Sequence, residues 1–243
     1  GVMRWIDEGH GPWALRPTDV PIVPAAVLID LWVGGKPSIR PGADCGYRAA
    51  GAASRARVAE GSVGAGAGAT VGKLTGLDRA MKGGIGSAAV TLPDGLRVAA
   101  LAAVNALGDV IDPASGAVVA GARADDGSLR DARKLLRSGA PLRRPRVAEN
   151  TTLAVVATNA HLTKAEANRV ALMADAGIAR AVTPAHTTAD GDTVFALATG
   201  RWRGRADLNE IGALAADVLA EAIVRAVKQA TVVAGIPAAR DIK

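Results

Sequence analysis

The sequence predicts an α/β protein in which sheets stack closely and helices lie outside them. Three observations carry that reading. The apolar share, 49% of 243 residues, rests on Ala, Val, Leu and Ile, with one Phe, one Tyr and four Trp, and there are 29 glycines. Side chains this small let backbone layers approach each other. Next, two apolar segments, Ser87–Leu92 and Leu96–Asn105, flank the turn signal Pro93-Asp94-Gly95 and read as paired strands. Finally, Leu208–Gln229 carries Ile211, Leu214, Ala215, Val218, Leu219, Ala222, Ile223 and Val227 on one stripe, the pattern of a helix with a buried face.

The remaining elements follow in order. The first ten residues read as the end of an amphipathic helix, with Val2, Trp5 and Ile6 on one face, so residues are expected before Gly1. Pro21-Ile22-Val23-Pro24 and Ala25–Trp32 read as extended segments interrupted by proline. A helix is expected over 43–58, then a glycine-rich stretch from Gly61 to Gly72. Asp109–Gly116 reads as a turn region and Ala122–Glu149 as a polar, basic connection. Thr151–Asn159 is a short apolar run, as expected of a strand buried on both faces. Thr163-Lys164-Ala165-Glu166 has capping-box spacing, which predicts a helix from there to about Gly177. Val194–Thr199 reads as another strand, and a single domain over 1–243 is expected.

Composition excludes several classes. The apolar stretches Val20–Val33 and Val98–Leu107 are interrupted well short of the ~20 residues that span a bilayer. No basic region followed by an apolar run stands at Gly1, and the single cysteine, Cys45, forms no internal disulfide; a cytoplasmic location is expected. The net charge of +6 raises nucleic acid as a partner. Much of the excess lies between Arg123 and Arg146, mixed with Asp125, Asp126 and Asp131 and without aromatic residues on which bases could stack, so nucleic acid is not expected.

Common motifs fail on specific residues. Gly72-Lys73 would end a P-loop, but Leu74 stands where a hydroxyl must hold magnesium, and Ala67 replaces the first glycine. Gly64-Ala65-Gly66 is followed by Ala69, which breaks the dinucleotide pattern. His10, His161 and His186 are widely separated, so no metal site is expected, although His186 is a candidate contributor to some site. No Gly-x-Ser-x-Gly elbow occurs. Asn150-Thr151-Thr152 matches a glycosylation acceptor only formally.

Glu149-Asn150-Thr151-Thr152 places a hydroxyl directly before a buried-type strand, which by physics alone is a strand start. Asn150 through Asn159 resembles the processing site of the DmpA-type aminopeptidase family. That family includes L-aminopeptidase/D-Ala-esterase-amidase enzymes, β-aminopeptidases and nylon-oligomer (6-aminohexanoate-oligomer) hydrolases. Three further blocks resemble it in the same order: Lys82-Gly83-Gly84-Ile85-Gly86-Ser87-Ala88; Val98–Asn105 with Gly108, Asp109, Val110, Asp112, Pro113 and Gly116; and Pro184–Ala196 with its Asp190-Gly191-Asp192 core.

The resemblance implies a four-layer α/β/β/α sandwich of N-terminal-nucleophile type, self-cleaved between Asn150 and Thr151 into pieces 1–150 and 151–243. Thr151 would be the nucleophile, with its freed amine as general base. By resemblance, Lys73 would be the nearby cation, Asn105 an oxyanion donor, and Asp190 and Asp192 the carboxylates that hold the amine and promote self-cleavage. Lys82 reads as structural. No cofactor is implied, and a homotetramer is. The substrate would be a short peptide or an oligoamide. Three readings stay open: an oligoamide hydrolase, an aminopeptidase that needs a free substrate amine, and an unprocessed binding homologue. Ile29 stands where several relatives have an aromatic residue near the pocket.

Overall fold

The computed structural model describes residues 1–11, 16, 18–139, 142 and 150–242. By contact these divide into two units: Gly1–Val27 with Gly35–Val58, and Leu28–Gly34 with Ala59–Lys243.

The first unit contains α1 (Val2–Asp7) and α2 (Ala43–Gly51). The Tyr47 hydroxyl of α2 donates to Glu8 at 2.6 Å, and the Arg4 guanidinium of α1 lies 4.3 Å from the Tyr47 ring centroid. Helix α2 stops short of the expected residue 58. Ser54 Oγ accepts from the Ala56 amide at 3.3 Å, a local bond that replaces the helical ladder. The expected extended segments around Pro21 and Pro24 join no sheet. Proline lacks the amide that a ladder requires.

The second unit is built on a four-stranded sheet whose strands, in spatial order, are β3 (Gly84–Thr91), β4 (Arg97–Asn105), β7 (Thr151–Thr158) and β9 (Thr193–Ala198). Two short strands come before it, β1 (Thr70–Val71) and β2 (Met81–Lys82), paired with each other. Strands β3 (Gly84–Thr91) and β4 (Arg97–Asn105) form the expected hairpin, and Asp94 of its turn accepts from the Leu96 amide at 3.0 Å. The region read as a turn at Asp109 instead begins with β5 (Asp109–Ile111), which pairs with β6 (Val118–Ala120). Three residues are too few to show a period.

The basic connection contains α3 (Ala132–Arg137), whose first turn is capped by the Asp131 side chain. Asp131 also pairs with Arg133, and Asp125 with Arg79, so these charges are partly matched locally. Residues 140–141 and 143–149 of that connection, Glu149 among them, lie outside the described residues.

Strand β7 (Thr151–Thr158) runs antiparallel to β4. It leads to α4 (Lys164–Ala174), which opens with the expected Thr163–Glu166 capping box. The helix expected to reach Gly177 is broken at Asp175, and α5 (Ala176–Ala181) follows. Strand β8 (Val182–Thr183) pairs with β5, and β9 (Thr193–Ala198) lies parallel to β7. Helix α6 (Leu208–Gln229) has the bounds that its stripe predicts, and Asp207 caps it.

Helix α6 lies along β3 and β4, and α4 packs against α6 and β9. Val98, Ala100, Ala102 and Val104 of β4 join Ala154 and Val156 of β7 beneath Ile211, Leu219, Ile223 and Val227. The approach is close because β3 offers no side chain at Gly86: a Cβ there would collide with the backbone of Ala222 and Ala226. Among the described residues, no helix is long and apolar enough to cross a membrane.

Candidate active site

Three strand ends meet at one end of the four-stranded sheet. The antiparallel register of β4 and β7 sets Asn105, the last residue of β4, opposite Thr151, the first of β7. Just before β9, Asp190 forms a parallel bridge with Asn150. Asn150, Thr151 and Asn105 are 2%, 3% and 1% exposed, so their polar groups must find partners within the protein.

The Thr151 hydroxyl donates to the Asn150 carbonyl oxygen at 2.5 Å, and the Gly191 amide donates to the same oxygen at 2.8 Å. One buried carbonyl therefore holds the hydroxyl of the following residue and a backbone donor together. Gly191 keeps this arrangement open, since a Cβ there would lie 3.1 Å from Thr151 Oγ1.

Lys73 arrives from the glycine-rich stretch. Gly72, at φ 71°, turns the chain in a conformation that favours glycine. The Gly72 and Lys73 amides then donate to the carbonyls of Gly108 and Leu107, both at 2.8 Å. The Lys73 ammonium donates to the backbone oxygen and to Oδ1 of Asn105, each at 3.0 Å. Thr70 also donates to Oδ1 from its amide at 3.0 Å, while Asn105 Nδ2 donates to the Ile29 carbonyl at 3.1 Å. Ile29 thus meets the site through its backbone.

The two carboxylates behave differently. Asp190 accepts from the Leu107 amide at 3.3 Å and from the amide and hydroxyl of Thr187 at 3.0 and 2.6 Å. Asp192 accepts from the Thr152 amide at 2.7 Å and faces His186 Nδ1 at 3.1 Å. Burial pushes the Asp192 carboxyl above the usual range, the Thr152 bond pulls it back, the Asp190 charge raises it and His186 lowers it. Because β7 and β9 are parallel, Asp190-Gly191-Asp192 is not a hairpin turn.

Lys82 stands apart from this cluster and is fully buried. Its ammonium donates to the carbonyls of Ala69 at 2.6 Å and Ala67 at 2.8 Å, which ties down the glycine-rich stretch. Burial brings it down to about 8, with the Asp30 carboxylate opposing the shift.

Lys73 is thus joined to Asn105, Asn105 stands opposite Thr151, Asn150 is bridged to Asp190, and Asp192 holds the amide of Thr152, the neighbour of Thr151. The Gly191 amide was missed, because a backbone donor leaves no side-chain signature. Among the described residues, no group of three or more His, Cys, Asp or Glu is arranged to hold a metal ion.

A family model described as peptidase family S58 matches residues 1–240. The chain belongs to peptidase family S58. It is thereby placed in a family of hydrolases. It is 43% identical over 258 residues to an uncharacterized aminopeptidase of Mycobacterium leprae (strain TN), covering 98% of this chain and 69% of that protein. It is 32% identical over 182 residues to the 6-aminohexanoate-oligomer endohydrolase of Kocuria sp. (strain KY2), covering 70% of this chain and 51% of that protein.

Among solved structures, the L-aminopeptidase D-Ala-esterase/amidase of Ochrobactrum anthropi, described as a variant of the Ntn hydrolase fold, superposes with a TM-score of 0.53 at 22% identity. That match covers 77% of this chain and 50% of the other, so the chain spans about half the length of these last two relatives. The S58 chain therefore has an α/β fold of the Ntn-hydrolase type.

Proposed function

We propose that this S58 chain cleaves itself between Asn150 and Thr151 and then hydrolyses amides with Thr151 as the nucleophile. The observation that supports this most directly is the buried Thr151 hydroxyl lying 2.5 Å from the Asn150 carbonyl oxygen, which also accepts from Gly191. In self-cleavage, Oγ1 attacks the Asn150 carbonyl carbon, and the Gly191 amide stabilises charge that develops on the oxygen. The Asn150–Thr151 carbon–nitrogen bond breaks as the nitrogen takes up the hydroxyl proton, leaving an ester. Water then hydrolyses the ester to an Asn150 carboxylate and restores the Thr151 hydroxyl, now beside a free amine.

In turnover, that amine takes the proton from its own hydroxyl as the hydroxyl attacks the substrate carbonyl. An ordinary α-amine titrates near ~7.7–8, so the cation of Lys73 favours its neutral form, and Asp190 and Asp192 hold it when charged. Asn105 and Lys73 supply donors for the substrate oxyanion. The acyl group passes to Oγ1, the leaving amine departs with the proton, and water releases the acid.

The substrates are short peptides or oligoamides of the 6-aminohexanoate kind. The Mycobacterium leprae relative favours a second reading, an aminopeptidase that requires a free substrate amine. The enzyme acts as a homotetramer of processed pairs in the cytoplasm.

A denaturing gel with N-terminal sequencing tests the nucleophile. The native chain should give two fragments, the smaller beginning at Thr151, and Thr151→Ala should give one band. A folded native chain that stays whole refutes the proposal. Assays of aminoacyl amides against end-blocked oligoamides then separate the two substrate readings.

A further inference from the structure

We propose that His186 is a positioning residue for Asp192, holding its carboxylate ionised and aimed at the start of β7 in the chain before it is cut. The imidazole lies between two carboxylates, with Nδ1 at 3.1 Å from Asp192 and Nε2 at 3.4 Å from Asp175. Both ring nitrogens therefore lie within ion-pair distance of a carboxylate oxygen, and a proton shared on the ring would set its positive charge against both carboxylates. The His186 amide also donates to Asp192 at 3.3 Å, so backbone and side chain grip the same carboxylate.

The backbone at His186 supports a role beyond filling a loop. Its φ of 53° is left-handed, which a residue other than glycine adopts only at a cost. That conformation belongs to the residue whose side chain bridges the junction of α4 and α5 and the site. The Asp192 side chain is 5% exposed, whereas those of His186 and Asp175 are 37% and 42% exposed. The chain Asp175–His186–Asp192 therefore leads from solvent to the amide of Thr152, next to the nucleophile.

The need for a cation is specific to the uncut chain. Asp192 is buried beside Asp190, and both effects favour taking up a proton. Once Thr151 has a free amine, its ammonium can offset the two carboxylates. Before cleavage the Thr151 nitrogen is an uncharged amide, and His186 is the group that lowers Asp192 by its charge. A protonated Asp192 would give up part of its hold on the Thr152 amide, which sets Thr151 against Asn150.

The effect on rate rests on the self-cleavage reading, so the test has two arms. In the uncut Thr151→Ala protein, the Asp192 carboxyl is titrated by carbon-13 NMR with His186 present and in His186→Gln. Glutamine preserves a donor but no charge, and the midpoint should move upward by about half a pH unit or more. In the second arm, chains with native Thr151 are made by cell-free translation, and cleavage is timed at about pH 5 and about pH 8.

His186→Gln and His186→Ala should each slow cleavage about threefold more at the lower pH than at the higher, the most that a half-unit shift in the Asp192 midpoint allows. Asp175→Asn should act in the same direction, but less. An unmoved Asp192 titration overturns the proposal, as does an equal slowing at both pH values, which is what a purely structural loss would give. If the native chain is never cut, the self-cleavage reading fails, and the titration arm still decides whether His186 holds Asp192.

Discussion

Replacing Glu60 by Gln should destabilise the second unit by about 2 kcal/mol at neutral pH and leave acid stability almost unchanged. Glu60 joins β3 to α6. It accepts from the amide and hydroxyl of Ser87, each at 2.8 Å, and from Arg225 at 2.6 and 3.1 Å. The Arg225 guanidinium foremost, with the Ser87 donors, holds the carboxyl down from 4.5 to about 2, against the opposing effect of burial. At ~1.36 kcal/mol per pH unit, this depression corresponds to an upper bound of ~3.4 kcal/mol. The Glu60 side chain is 8% exposed but that of Arg225 is 34% exposed, so solvent screens part of the attraction.

Gln can still accept from Ser87, but it turns an amide donor or a neutral oxygen towards Arg225. For a chain of this size, ~2 kcal/mol lowers the melting temperature by about 4–8 °C. The folded pKa is depressed, so the stabilisation is fully present above the unfolded value of 4.5 and is lost as pH falls towards 2. Thermal denaturation of both proteins across that range, in a Thr151→Ala background to keep the chain whole, should show a gap that closes in acid. Equal melting temperatures at neutral pH, or a gap independent of pH, would refute the reasoning.

Two substitutions test the site. Asn105→Asp keeps an acceptor for Thr70 and Lys73 but loses the donor, so turnover should fall about 10²–10³-fold, measured as amide hydrolysis by the processed protein. It also sets a carboxylate oxygen against the Ile29 carbonyl, so the melting temperature should drop as well. Gly191→Ala keeps the amide donor, and its backbone conformation admits an L residue. The added Cβ, 3.1 Å from Thr151 Oγ1, should displace the hydroxyl and slow self-cleavage about tenfold or more, timed on gels, with little change in stability.

Elements with long local patterns were legible in advance. The stripe on Leu208–Gln229 locates α6 because a helix of 22 residues repeats its period six times over. Pro93-Asp94-Gly95 identifies the β3–β4 hairpin, and Thr163 with Glu166 locates the start of α4. Shorter features were not legible. Strand β5 is three residues long, and the expected 43–58 helix stops at Gly51, beyond which Ser54 Oγ holds the Ala56 amide in a bond that periodicity does not register. The clamp of Glu60 on Arg225 joins residues 165 positions apart.

The candidate site divides in the same way. Local order and residue type identified Asn150, Thr151, Lys73, Asn105, Asp190 and Asp192 once the blocks were compared with a known family. The sequence alone also determined that Thr151 opens a strand, although the expected burial on both faces holds only for alternate residues, with Leu153, Val155 and Ala157 half-buried. It did not determine that Asn105 stands opposite Thr151, because a one-residue slip between β4 and β7 would turn that side chain to the other face of the sheet. Nor did it show that the Gly191 amide meets the Asn150 carbonyl or that His186 sits between Asp175 and Asp192. Those contacts depend on strand register and on how distant segments close on one another. Their energies are non-local, so tertiary packing decided them.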